Sequence, residues 1–292
     1  FYSPFRLPEF QNTYGSETGE WYSWASKLSS PTDYEVKDFF QTGYNVANTV
    51  SLTTGTQKNQ TYVSVGAVNA RGIIQNNDLD RYNFSVRNTT SMLNDKLTMD
   101  LSFMYSNVKE QNMLSQGEYA NPLVPVYLFP RGDDFSKYQY YERYDVDRNI
   151  KTQFWPLKEN GLSMQNPYWI AYRNVRTNEK KRYMLNAGLT YDILDWLNVS
   201  ARIRVDNTDN TYQQKLYAST ISTLTEGSTQ GHYTIQKVNE TQTYADFMVN
   251  INKRIDDFTV VVNAGTSLSD NSSDLLGYGG PIRDTGVPNV FN

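Results

Sequence analysis

Between Arg182 and Asp206 the chain reads RYMLNAGLTYDILDWLNVSARIRVD, two arms in which apolar and polar residues alternate. Tyr183, Leu185, Ala187, Leu189 and Tyr191 share one parity. Arg182, Asn186, Gly188 and Thr190 take the other, with Met184 the one apolar exception. The second arm repeats this with Leu197, Val199, Ala201, Ile203 and Val205 against Asn198, Ser200, Arg202, Arg204 and Asp206. Successive side chains of a strand point to opposite faces. The pattern therefore predicts a hairpin with one apolar and one polar face, joined tightly at Asp192 to Trp196.

The same period marks strands at Tyr44–Thr54, Thr61–Ala70, Arg81–Thr90 and from Leu97 to Ser106. It returns in a long strand from Tyr233 to Ile251 and a last one from Phe258 to Ala264. Residues 1–40 have no sustained period and read as loop, with one short helical turn near Glu35 to Phe40. Arg71–Asp80, Lys109–Lys180, Asp206–Gly231 and Asp270–Asn292 also read as loops. A structureless loop as long as Lys109–Lys180 argues against a compact domain unless it is functional. Its aromatic and proline content predicts that it folds on itself.

The turns Gly55–Gln60, Met92–Leu97, Ile193–Leu197 and Arg254–Phe258 are short, and three of them place an aliphatic residue before Asn or Asp. Short turns alternating with long loops are the asymmetry of an outer-membrane β-barrel. A β-sandwich, as in a soluble or cell-surface carbohydrate-binding module, also gives period two but has no reason to sort loops by end.

Composition narrows the classes. At 292 residues the chain could form one large domain or two smaller ones. With 38% hydrophobic residues, no run approaches the roughly 20 apolar residues of a membrane helix. A spanning strand needs only about 10 residues with alternate positions apolar. Tyrosine, at 23 residues against 5 tryptophans, suits strands and interfacial aromatic girdles. The net charge of -4 gives no basic field for nucleic acid. The absence of cysteine removes disulfides and thiolate chemistry. The chain begins at Phe1 with neither initiator Met nor signal peptide, which is expected of a section of a longer protein.

Several stretches resemble the SusC/RagA family of TonB-linked outer-membrane transporters, typical of Bacteroidetes. They are QNTYG at Gln11–Gly15, DYEVKDFFQTGYNVANTVSLTTG at Asp33–Gly55, YVSVGAVNARGII, RYNFSVRNTT, LTMDLSFMYS, NPLVPVY at Asn121–Tyr127, DWLNVSARIRVD and YADFMVNINKRIDDFTVVVNAGTS. The VKDFFQTG run followed by a strand pair is the most specific of these. The resemblance implies an all-β fold, an antiparallel transmembrane β-barrel of roughly 22 strands closed around a plug, of which this chain supplies about eight with long external loops. It also implies TonB-dependent import of glycan or peptide fragments across the outer membrane of a Gram-negative bacterium. The partners implied are a SusD-like surface lipoprotein as lid, TonB through a plug region outside this chain, the rest of the same barrel, and the lipid bilayer. No cofactor or covalent chemistry is implied.

The residues themselves carry little catalytic promise. His232 is the only histidine and lacks a nearby nucleophile elbow, so it reads as an exposed strand-end residue. Asn76–Asp80 and Asp206–Asp209 offer oxygens for calcium but not the spacing of a defined loop. Asp133 and Asp134, adjacent on a loop, have nothing to fix a glycosidase separation. The aromatic loop offers more. Tyr138, Tyr140, Tyr141, Trp155, Tyr168 and Trp169 mix with Arg131, Asp133, Asp134 and Arg143, and rings flanked by hydrogen-bonding charges suit sugar or peptide capture at a barrel mouth. From this set Tyr138, Tyr140, Trp155, Tyr168, Trp169, Arg131 and Asp133 are the expected ligand contacts, unless the rings build the loop's own core. Arg202 and Arg204 are expected to line a channel or contact the plug.

Overall fold

The computed structural model describes residues 12–14, 21–23, 35–129, 134–155, 165–283 and 287–291. Two short strands, β1 (Asn12–Tyr14) and β2 (Trp21–Ser23), pair with each other. A 3-10 turn at Val36–Phe39 falls where the sequence predicts a helical turn. Then come β3 (Tyr44–Gly55), β4 (Asn59–Arg71), β5 (Asp78–Met92) and β6 (Leu97–Gln111). Helix α1 (Leu123–Leu128), a 3-10 turn at Phe135–Gln139, the hairpin β7 (Glu142–Asp145) and β8 (Ile150–Gln153), and helix α2 (Pro167–Arg173) form a cap. Four long strands complete the chain: β9 (Asn174–Leu194), β10 (Leu197–Tyr217), β11 (Gly231–Ile255) and β12 (Phe258–Pro281).

Eight strands form one antiparallel sheet in the order β12-β11-β10-β9-β6-β5-β4-β3. Its two outer strands do not pair with each other, so it is a section of a barrel rather than a closed one. The register keeps the predicted parity across strands. Leu52 faces Val63, Val63 faces Val86, Val86 faces Phe103, and Phe103 faces Leu185. The pairing row through Val50 passes Tyr105, Tyr183 and Asn207 and reaches Ser272, well beyond the apolar stretch of β12 near Ala264. The apolar band thus steps along the strands by roughly one residue per strand, the stagger that tilts strands in a barrel.

The hydrophobic core lies away from the sheet's apolar face. Buried apolar side chains, among them Phe39, Val126, Phe135, Trp155, Trp169 and Leu216, belong to the cap and the strand ends beneath it. On the sheet Val50 is 75% exposed and Leu185 47%. Among the described residues no second sheet covers that face, as a sandwich requires. No described helix is long and apolar enough to cross a membrane.

The tight turns between β3 and β4, β5 and β6, β9 and β10, and β11 and β12 all lie on one edge. Asn94, Asp95 and Asp256 take φ of 56, 66 and 51 there, a region these two residue types tolerate best after glycine. The opposite edge differs from expectation in length. The ladder continues past the apolar band, so the Lys109–Lys180 loop contracts to residues 112–173 and the Asp206–Gly231 loop to 218–230. The stretch from Asp270 is strand as far as Pro281, paired residue for residue with β11. Arg71–Asp80 contracts to a turn over residues 72–77. The strand ends missed by period two are mainly polar, and their few apolar residues, such as Leu275 and Leu276, fall on both faces, so they carry no alternation although their backbone pairing is complete. Gly231, with φ 108, opens β11; a Cβ there would lie 2.6 Å from the Leu216 carbonyl oxygen. Only glycine fits that entry.

Candidate functional site

The polar face is tied together by charge. Arg87 donates to Asp100 at 2.7 Å, Arg182 to Asp206 at 2.8 Å, and Arg202 to Asp246 at 2.8 Å. Thr89 adds a 2.9 Å bond to Asp100. Arg204 shares this face, is exposed, and forms no salt bridge among the described residues. Arg202 and Arg204 therefore share the polar face of β10.

Toward the cap, the same face opens into a cavity of about 500 Å³ between β6, β9, β10 and β11. Glu110, Arg176, Asn178, Asn210, Tyr212 and Gln236 line it. Asn178 donates to Glu110 at 3.2 Å. Nothing in the sequence singles these residues out. They lie in polar segments without alternation, and nothing in such a segment distinguishes a wall residue from a loop residue.

The cap is held by rings and by a few amides. Phe39 meets Tyr168 edge-on at 5.2 Å, Phe129 meets Phe135 at 4.8 Å and Tyr138 meets Trp155 at 5.1 Å, geometries that aromatic pairs favour. Helix α2 starts where Asn166 caps it, accepting from Tyr168 N–H, with Pro167 at the first helical position. The Asn166 amide also donates to the carbonyls of Tyr138 and Phe154. Trp169 Nε1 donates to Thr220 Oγ1 at 3.0 Å, and Thr220 donates onward to Asn174 Oδ1 at 2.8 Å. The cap is thereby fastened to the loop over residues 218–230 and to the start of β9.

The expected ligand contacts divide accordingly. Trp155, Tyr168 and Trp169 are 3%, 3% and 1% exposed, so their faces are occupied within the cap. Burial pushes the Tyr168 phenol up to about 12. Tyr138 packs half-buried against the cluster. Tyr140 is 73% exposed and is the ring of the set that faces solvent. Arg131 and Asp133 lie outside the described residues. Arg143 lies over the Phe154 ring at 3.3 Å.

Other residues singled out by sequence have structural partners. Asp134 accepts from the Ser136 N–H at the start of a 3-10 turn. Asn76 donates to the Ala171 carbonyl, Asn77 to the Asn112 carbonyl, and Asp80 accepts from Asn69. Among the described residues no group of three or more acidic or histidine side chains is placed to hold a metal. His232 corrects an expectation. It does sit at the start of β11, but it is 7% exposed because β10 and the 218–230 loop enclose it, with Glu226 Oε1 3.4 Å from its Nε2.

No protein-family model and no curated protein sequence matches this chain. Solved structures do. The chain is similar to one in the structure of the RagAB peptide transporter, with a TM-score of 0.61 and 14% identity over 84% of this chain. It is also similar to chains of the RagAB peptide importer in the closed-closed state (TM-score 0.63, 14% identity, 88% covered) and the open-open state (0.62, 15%, 89%). It spans 26% to 28% of the length of those chains. At these identities the likeness concerns the fold alone, an antiparallel β-barrel section similar to part of those chains.

Proposed function

We propose that this chain is part of the wall of an outer-membrane importer. Its apolar face meets lipid, its polar face lines the lumen, and its cap stands on the external side. The observation that carries this reading is the inverted distribution of apolar residues. The broad face of the sheet exposes Val50, Leu52, Leu185, Leu189, Ile203 and Phe247, while the buried rings sit in the cap. A soluble sheet would leave that face in water, where a contiguous apolar surface of this extent is a liability. In a bilayer it is the surface required, and tyrosines such as Tyr105 and Tyr183 border it as an aromatic girdle does.

The imported material is a peptide or an oligosaccharide fragment, and the likeness to peptide importers favours the peptide. Import runs with a SusD-like lipoprotein seated over the external loops and a plug moved by TonB. The ladder beyond the apolar band gives the lumen a polar, hydrogen-bonding extension between bilayer and cap.

The test is fractionation of the full-length protein, with protease added to intact cells. The expected result is recovery in the outer membrane with cleavage confined to residues 112–173 and 218–230. Recovery as a uniformly protected soluble protein would overturn the reading.

A further inference from the structure

Three arginines of the polar face are each matched by an aspartate, and Arg204 is exposed. Arg176 is neither. It is partly buried, and its side chain belongs to the polar parity of β9, that of Asn178 and Arg182. Its Nε is sealed from solvent with no partner, and its one side-chain hydrogen bond among the described residues is a 3.5 Å contact from Nη2 to the Ala120 carbonyl. No described carboxylate forms an ion pair with it. Glu110 lines the same cavity but is engaged by Asn178. The ladder at this position is carried by the main chain, where Arg176 N–H donates to Asn112 Oδ1 and its carbonyl accepts from Asn112 N–H, both at 2.8 Å.

A guanidinium withdrawn from water without an anion is costly to keep. It is also the group best suited to a carboxylate, which it grips through two parallel N–H donors. Asn210, Tyr212 and Gln236 around it offer neutral hydrogen-bonding groups, and Asn210 Oδ1 has no partner either. We propose that the cavity over Arg176 is a carboxylate subsite at the external end of the lumen, where the cargo's anionic group docks before passage. The proposal rests on the importer reading. The carboxylate has two sources of the same chemistry, the C-terminus or acidic side chain of a peptide and the uronate of an acidic oligosaccharide.

The test uses the full-length protein in detergent, with acetyl-trialanine, its C-terminal amide and tri-galacturonate as probes. Modification of Arg176 by phenylglyoxal is followed by peptide mass spectrometry, and probe binding by calorimetry. Slowing of the modification several-fold by acetyl-trialanine but not by its amide assigns a peptide carboxylate. Slowing by tri-galacturonate instead assigns a uronate. Protection by neither acid, or equal protection by the amide, overturns the subsite. In Arg176→Gln, binding of the effective acid is lost about tenfold or more, while the thermal midpoint stays level or rises. A fall in the midpoint, or unchanged binding, marks a structural arginine and overturns the proposal. These readouts depend on the folded site and not on uptake, so failure of the importer reading shows in the fractionation and leaves them unaffected.

Discussion

Arg202 and Asp246 stand directly opposite each other across the β10–β11 ladder, and Arg202 Nε donates to Asp246 Oδ2 at 2.8 Å. The pair is unequal. The Asp246 side chain is 7% exposed and that of Arg202 53%. Removing the exposed partner strands a buried carboxylate, whereas removing the buried one releases an arginine that water can solvate. Arg202→Ala should therefore destabilise the sheet more than Asp246→Ala, by about 1–3 kcal/mol against less than about 1. Urea unfolding of both single variants and the double variant checks the order.

The faces of the sheet predict opposite tolerance to charge. Arginine at Leu185 or Ile203 should cost about 2–4 kcal/mol if these positions lie at bilayer mid-depth. The same residue at Thr190, on the polar face beside the short turns, should be accepted. The folded, heat-modifiable band on an unboiled gel reads this directly. Equal loss at all three positions would count against a lipid-facing side.

In the cap, Trp169 and Tyr140 should separate stability from contact. Trp169→Ala removes a ring that is 1% exposed and its bond to Thr220, a change of about 3–5 kcal/mol in a packed core. Limited proteolysis should then cut within residues 112–173 while the sheet remains intact. Tyr140→Ala removes a ring that is 73% exposed and should leave cleavage unchanged.

Acid should loosen the cap through Glu142. Partial burial raises this carboxyl, but hydrogen bonds from Lys151 at 2.6 Å and Arg173 at 2.8 Å more than offset that and hold it below its ordinary value. A carboxyl with a depressed folded value stabilises the fold above its unfolded value, about 4.3, and that stability is lost as pH falls through the folded one. Protease resistance of the cap should hold from neutral pH down to the ordinary glutamate range and decline below it. Glu142→Gln should lower the resistance at neutral pH and flatten that decline.

The strands were legible where one face is apolar and the other polar, as at Tyr183–Tyr191 and Leu197–Val205. They were illegible where both faces meet water. Asn174–Lys181 reads NVRTNEKK and offers no parity to detect, and Asp270–Gly280 reads as loop from its Ser, Asp and Gly content. Both are strands because a neighbour's backbone pairs with them, a tertiary cause that local composition does not record. The cap's aromatic richness announced a folded element. Which ring would face inward depended on packing between Phe39, Phe129 and Tyr168, far apart in the chain. The start of α2 was written locally, in Asn166–Pro167. Arg176 had no such signal, because its meaning lies in the partner it lacks.

Adjacent strands of the large sheet follow one another along the chain everywhere except at β6 and β9, where the cap intervenes. Most of the sheet can thus be laid down as successive hairpins, each closing a local contact that forms early in folding. The β6–β9 seam waits for the intervening chain to gather on one edge. Length alone adds little delay, since doubling a loop adds only about 0.6 kcal/mol to its closure. The order of events is the constraint. If the rings around Phe39 and Trp155 gather before β6 meets β9, the pace of assembly is set outside the sheet, and weakening that cluster should slow formation of the seam more than of the hairpins.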